Sequence, residues 1–406
     1  MKRSKLQKRL TMQTLEMKHL AQFNDLLRYV FQVTNRELND VGWEEDEIVQ
    51  AKRPVLQKAD VLGWFDKEKL VSQLAVYPMK VNIHGEIYEM GGVTGVATYP
   101  EYSNYGLMHE LMKQSLKDMR ARKQTVSYLF PYSIPYYRRK GWEIISDIMT
   151  FTIKDTQLPK LIEVPGMVER VNLDHKDLRE THNRFTARRH GTLIRDELAW
   201  EEYWRWEVEE IIAAIYYDEA HIPQGYITYW ITEDIFHMKE MVYLNEEARK
   251  GIWNYVSAHF SMITDVKGAT HTNESLAFLL EDSEIEEMIR PFFMARIVDV
   301  EEFIKKFPFT DQLAKNKFTF VVEDSLLEWN KGEFAVQWNE AGEVNISREV
   351  IGDTIKLDIR TLTTMLFSYR RPTYLARIGR LNAKPETVKL LEWLIPLEQP
   401  YFSDYF

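Results

Sequence analysis

The chain has 406 residues, 28% of them charged and 45% hydrophobic. That composition excludes a disordered chain and implies two or three domains rather than one core. Its 52 basic and 62 acidic residues leave a net charge of −10, a field that disfavours nucleic acid and favours cationic ligands such as polyamines, aminoglycosides or lysine side chains. With no cysteine, disulfides, thiolate zinc sites and acyl-cysteine intermediates are excluded, and no apolar run approaches the 18 residues of a membrane span. The basic start MKRSKLQKRL leads into TMQTLEMKHL, which has no apolar signal core, so the expected location is cytoplasmic. The ten histidines show no HExxH spacing, and His182 with His190 matches no ligand spacing, so no metal is expected.

In chain order, apolar residues at helical spacing predict a helix within Met17–Leu38. Ala59–Phe65 and Leu70–Tyr77 read as strands about the charged turn Asp66–Lys69, and residues 80–83 and 87–90 as a hairpin about Gly85. Gly91–Thr98 is a small-residue strand whose glycines suggest a bulge or a ligand lying close to the backbone. The loop Glu101–Tyr105 ends at Gly106, where a helix with Leu107, Met108, Leu111, Met112, Leu116 and Met119 on one face begins. A strand at Thr125–Phe130, a short helix at Tyr136–Lys140 and a strand at Trp142–Ile153 complete the first unit.

A second unit follows Pro159 and Pro165: helices at Asp174–Arg189 and Trp200–Trp206, a hairpin at 211–218 and 225–232, a strand at Met238–Leu244, then a polar loop, Gly251 and a helix. Tyr243–Trp253 echoes Tyr99–Met108, which predicts a degenerate internal duplication. A third unit from Arg296 holds short strands at 318–323, 332–338 and 344–347, helices at 359–369, 373–378 and 385–394, and the tail Tyr401–Phe406. The expected division is 1–155, 156–295 and 296–406, in an α/β (α+β) fold with mixed sheets.

A helix N-terminus offers unpaired N–H groups and a favourable dipole to an anion, and glycine lets the backbone come close. Here the donors would be the amides from Ser103 to Met108; an ordinary strand–helix turn accounts for the same local pattern. The strand Gly91–Thr98 adds weight, because an amide-bearing pantetheine arm can lie along such an edge as a pseudo-strand. Strand and turn together would serve a phosphopantetheine ligand end to end.

This unit resembles the acetyl-CoA-binding motif of the GNAT acetyltransferase superfamily. The wider set, MGGVTGVATYPEY, GLMHELM and PYYRRKGWE in a chain ending in phenylalanine, resembles the enhanced-intracellular-survival (Eis) family over essentially its whole length. The resemblance implies two tandem GNAT-like domains, the second without cofactor, a sterol-carrier-protein-like domain, a hexamer, and acetylation of amines on aminoglycosides, polyamines or lysine side chains. It implies cofactor contacts from Val96, Ala97, Thr98, Ser103, Asn104, Tyr105, Gly106, Leu107, Met108 and Ser133, with the Val96 amide facing the developing oxyanion. The turn departs from the family: Ser103, Asn104 and Tyr105 stand where relatives carry Gln or Arg, which removes charge-assisted phosphate contacts. Backbone amides must then hold the phosphates, or Lys and Arg from elsewhere must help.

By the same resemblance Tyr137 is the general acid, with Tyr136 the off-by-one alternative and core packing the structural one. Four aromatic residues within the last six, Tyr401, Phe402, Tyr405 and Phe406, are costly to leave in water, so the tail should dock. The family then implies the terminal carboxylate of Phe406 as the base; a subunit interface would explain the tail equally. Phe31 and Trp43 would line an aromatic amine pocket or pack in the core, Thr94 and Gly95 are candidate substrate contacts, and Asp404 would add negative charge there or sit solvated in the tail. Two readings of other classes stand beside the enzyme: a non-catalytic acyl-CoA-binding sensor or scaffold, and a lipid or sterol carrier.

Overall fold

A computed structural model of the chain describes residues 9–34, 52–205, 210–271, 276–310 and 317–406. Trp43 lies outside the described residues. The first unit runs β1 (Leu10–Thr14), α1 (Leu20–Phe31), α2 (Arg53–Lys58), β2 (Asp60–Asp66), β3 (Lys69–Ile83), β4 (Glu86–Thr98), α3 (Leu107–Ala121), β5 (Val126–Leu129), α4 (Ile134–Arg138) and β6 (Glu143–Ile144). The sequence reading split β3 in two; it is one 15-residue strand, because its residues are buried almost throughout and give no alternation to mark an interruption.

The second unit comprises β7 (Asp147–Lys154), β8 (Met167–Val171), α5 (Lys176–Thr186), β9 (Leu193–Ile194), α6 (Glu197–Arg205), β10 (Ile212–Tyr217), β11 (Pro223–Thr232), β12 (Ile235–Tyr243), α7 (Glu246–Ser257), β13 (Asp265–Thr270), α8 (Leu276–Leu279), β14 (Glu286–Pro291) and β15 (Met294–Ile297). The third holds α9 (Val300–Lys306), β16 (Lys317–Glu323), β17 (Gly332–Trp338), β18 (Val344–Ser347), β19 (Asp353–Asp358), α10 (Ile359–Leu366), α11 (Pro372–Arg377) and α12 (Pro385–Leu394). β19 was not anticipated; it pairs parallel to β16 and carries only two buried residues, too few to announce itself.

The sheets do not follow chain order. The first is β1-β2-β3-β4-β5-β15-β6, with β9 added on β3; the second is β14-β7-β13-β12-β11-β10-β8; the third is β18-β17-β16-β19. So β7, read from the sequence as the last strand of the first unit, pairs antiparallel with β13 in the second sheet. In return β15 pairs antiparallel with β5 in the first. The division therefore falls before β7 rather than after it, and the first sheet takes β15, the strand beside its parallel pair, from the second unit. Periodicity says that a segment is a strand and is silent about which edge receives it. The cores follow the sheets: one large apolar cluster joins α1, the first sheet, the third unit and the tail residues Phe402 and Phe406, while β7, β12, β13 and α7 share a second.

Candidate active site

β4 and β5 run parallel and are hydrogen-bonded only from Met90–Val126 to Gly92–Tyr128, after which they part. The rest of β4, Val93 to Thr98, is therefore paired on one side only, and offers its outer edge to an extended amide-bearing ligand. Within this stretch the register to β3 slips: Gln73 faces Ala97 and Ala75 faces Thr94, so Gly95 and Val96 together oppose Leu74. Gly95 takes φ +61°, which glycine adopts without Cβ strain. The bulge reverses the side-chain parity of the strand: Val93 and Val96 pack with Leu111 and Met119 of α3, whereas Ala97 faces the cluster of Phe23 and Phe406. The separation of β4 from β5 and this bulge aim the backbone of residues 94–98 into the opening.

At its end β4 enters the loop before α3. Asn104 (φ +65°) and Gly106 (φ +83°) are left-handed, and Gly106 is the N-cap residue of the 15-residue helix, with no side-chain cap. The amides at the start of α3 thus lie at an uncapped helix N-terminus. Strand edge and turn border one cleft of about 580 Å³ lined by Val96, Ala97, Thr98, Ser103, Asn104, Gly106, Leu107 and Met108. Two residues grouped with them from the sequence, Tyr105 and Ser133, are not on its wall; Ser133 is the N-cap residue of α4.

The same cleft is also lined by Val30 of α1, Tyr102, His109, Tyr132, Tyr136 and Lys140, of which the sequence reading names only Tyr136 as a site residue, as the alternative acid. Lys140 Nζ donates to His109 Nδ1 at 2.6 Å and makes no ion pair with a described carboxylate. Burial, with Arg139 adding to it, lowers the Lys140 pKa; burial and then Lys140 lower that of His109. Two cationic or potentially cationic side chains thus face the turn that lacks the family's arginines. The only sequence signal was the basic run Arg138-Arg139-Lys140, whose direction the sequence does not give.

Tyr137 and Tyr136 occupy different surroundings. Tyr137 is buried against Trp142 and Tyr136, and burial pushes its phenol above the usual tyrosine range; Tyr136 is half-buried on the cleft wall. Phe31 is exposed at the end of α1, edge-on to Tyr132 with ring centroids 6.5 Å apart.

The tail folds back onto the first sheet. The Phe406 ring is buried edge-on to Tyr77 and Phe293, and lies against Gly92, at the point where β4 and β5 separate and two residues before Thr94. Asp404 is neither solvated nor available to a substrate pocket, as the sequence reading had it. It is buried and accepts from Arg195 Nε at 2.6 Å. The tail had to pass between two sheets to reach Gly92, and a carboxylate on that path needs a counter-ion.

The second unit repeats the opening but not the turn. β12 and β13 are parallel only from Ile235–Asp265 to Met238–Gly268. α7 begins at Glu246 immediately after Asn245, whose side chain accepts from the Ala248 amide at 2.8 Å, and its first turn carries Glu246 and Glu247. Gly251, aligned by sequence echo with Gly106, does not open the helix; it lies inside it, packed so closely on Tyr216 that a Cβ would collide. A capped, acidic helix start repels phosphate where the first unit's open one attracts it. Into this second opening the tail places Tyr401, edge-on to His271 at 4.6 Å and Phe185 at 5.2 Å.

Among the described residues no cluster of three or more His, Asp or Glu could hold a metal ion, and no helix is long and apolar enough to cross a membrane. Family models describing an acetyltransferase (GNAT) domain match residues 11–145 and again 191–297, and one describing a sterol carrier protein domain matches 300–403. No curated protein matches the sequence. Among solved structures, a protein of Enterococcus faecalis described as a probable N-acyltransferase is 26% identical, with a TM-score of 0.89 over 98% of this chain and 99% of its own. A GCN5-related N-acetyltransferase of Anabaena variabilis (23%, TM-score 0.85, 98% and 100%) and Eis1 of Mycobacterium abscessus (18%, TM-score 0.79, 98% and 100%) share the fold. The chain thus carries two GNAT acetyltransferase domains followed by a sterol carrier protein domain, in the fold it shares with these structures.

Proposed function

We propose that the protein transfers the acetyl group of acetyl-CoA to a primary amine by direct attack within the cleft of the first domain. The observation that carries this reading is the coincidence, in one cleft, of an open β4 edge, an uncapped helix N-terminus and the Lys140–His109 pair. The pantetheine arm would run along residues 96–98, its phosphates toward the amides of 103–108, with Lys140 replacing the missing turn arginines. Acetyl-CoA supplies the thioester. The amine approaches from the face of α1, Thr94, Gly95 and the tail, and the Val96 amide holds the developing oxyanion. The Phe406 carboxylate takes the proton of the amine, directly or through a water. An ionised α-carboxyl, with an ordinary pKa near 3.3–3.7, also attracts a cationic substrate.

The leaving thiolate departs on the α3 face, where Tyr137, protonated at neutral pH, gives it a proton. The first sheet, including β15, is then the core of the catalytic unit, the second sheet from β7 onward that of a GNAT-like unit without cofactor, and the third unit the sterol-carrier-like part that delivers the tail. A hexamer follows from the resemblance alone, and sizing by light scattering tests it. The central experiment is free-thiol release from acetyl-CoA over a panel of polyamines, aminoglycosides and lysine peptides, with wild type, Tyr137→Phe, Tyr136→Phe and a variant lacking Phe406. Tyr137→Phe and the truncation should each lose kcat, and Tyr136→Phe should chiefly affect KM for acetyl-CoA. Acetyl-CoA binding without turnover of any amine would favour a sensor; failure to bind it at all would favour the carrier reading.

A further inference from the structure

The second GNAT domain lacks the open phosphate turn, yet it contains a buried ion network, and the tail passes through it at Asp404. Arg195 follows β9, the strand that edges the first sheet at Lys80 and Val81. Its guanidinium is wholly buried. Nη1 and Nη2 donate to the two oxygens of Glu240 on β12 at 3.1 and 2.7 Å, and Nε donates to Asp404 at 2.6 Å. Tyr226 and Tyr203 donate to Glu240 at 2.6 and 3.1 Å, and Ser403 at 3.3 Å. The guanidinium also lies 3.8 Å from the Tyr203 ring centroid and 4.6 Å from that of Trp200.

The geometry is that of a register pin. Glu240 uses both oxygens of a bidentate pair, the arrangement that fixes direction as well as distance. Only the Nε edge remains, and the tail fills it with Asp404. Nearby, the Tyr401 amide donates to the His190 carbonyl at 2.8 Å, and Pro400 rests on Gly191. Slipping the tail by one residue would turn Asp404 away from Arg195 and leave a buried guanidinium half-paired, a change far costlier than shifting an apolar contact. Only Tyr405 separates Asp404 from Phe406, whose ring is seated on Gly92.

We propose that Arg195, Glu240 and Asp404 form a positioning network that sets the register of the chain end at the active site, so that the degenerate domain serves the reaction as a clamp for the tail. The inference rests on the proposed role of Phe406, and Asp404 acts only through it.

The test compares Asp404→Ala, Asp404→Asn and the variant lacking Phe406, singly and combined, in the full-length protein. Asp404→Ala leaves the Arg195–Glu240 pair intact, so the second domain should keep its fold. Its kcat should fall about 10²-fold, the scale of a misplacement of about 1 Å, while the Kd for CoA measured by calorimetry stays unchanged. Asp404→Asn keeps an acceptor for Nε and should recover part of the loss. Adding Asp404→Ala to the truncated variant should cost nothing more, since both act through one group. Carboxypeptidase should release Phe406 faster from Asp404→Ala than from wild type. A truncated variant that loses activity while Asp404→Ala keeps wild-type kcat would overturn the clamp and leave the base in place. Full activity in the truncated variant would overturn the base, and the clamp with it.

Discussion

Replacing Gly92 by alanine tests the tail without touching a chemical group. A methyl there would lie 2.8 Å from Phe406 Cε2, 3.1 Å from Cζ and 3.3 Å from Met79 Sδ. Carbon atoms rest about 3.5–4.0 Å apart, so the ring must retreat by roughly 0.7–1.2 Å. The cost to stability is modest: overpacking destabilises by about 1–3 kcal/mol, and losing a strand glycine returns about 0.5–1. The cost to chemistry should be larger, because a misplacement of about 1 Å lowers a rate by about 10²-fold. Steady-state thiol release should therefore show kcat falling about 10²-fold, with Kd for CoA unchanged and melting displaced by only a few degrees. Phe406→Leu removes the atoms that collide and keeps the carboxylate, so Gly92→Ala/Phe406→Leu should regain most of the activity. Gly91→Ala is the control: its methyl points to the opposite face, 2.7 Å from Met119 Sδ, and a methionine can turn aside. Wild-type kcat in Gly92→Ala, or no recovery in the double variant, would refute the reasoning.

Lys140→Met should weaken CoA binding about tenfold, the scale of one charge-assisted contact, and flatten its salt dependence; unchanged affinity in calorimetry would remove Lys140 from the phosphate site. Asp324→Ala leaves Arg296 buried without its counter-ion and frees the Leu326 and Leu327 amides that Asp324 accepts at 2.9 and 3.1 Å. It should cost about 3–5 kcal/mol in denaturant unfolding. Because Arg296 also donates to the Lys140 carbonyl, the same variant should weaken CoA binding. His84 and His190 stack at 3.5 Å between the first and third units; burial lowers both, His84 to about 4, and burial with Arg195 nearby takes His182 to about 3. These groups stay neutral when folded and charge when unfolded, so their contribution is whole above pH 6.5 and is lost as pH falls toward 4. For His84 that is on the order of 3 kcal/mol. His84→Gln should move the acid midpoint to lower pH, and an unmoved midpoint would refute this account.

The sequence by itself determined what local chemistry can announce. The small-residue strand Gly91–Thr98, the glycine before Leu107 and the aromatic chain end are unusual wherever they occur, and each constrains the backbone or demands burial within a few residues of itself. Most strands and helices were legible for the same reason. Tertiary structure decided what depends on distant partners. It assigned β7 and β15 to each other's sheets, because a strand's pattern records its faces and not its neighbours. It put Gly251 inside a helix, because Tyr216 fills the space a side chain would need. It brought Lys140 and His109 together 31 residues apart, and turned Asp404 inward to Arg195 across 209 residues. A buried ion pair is a property of two surroundings at once, and no window of sequence contains both.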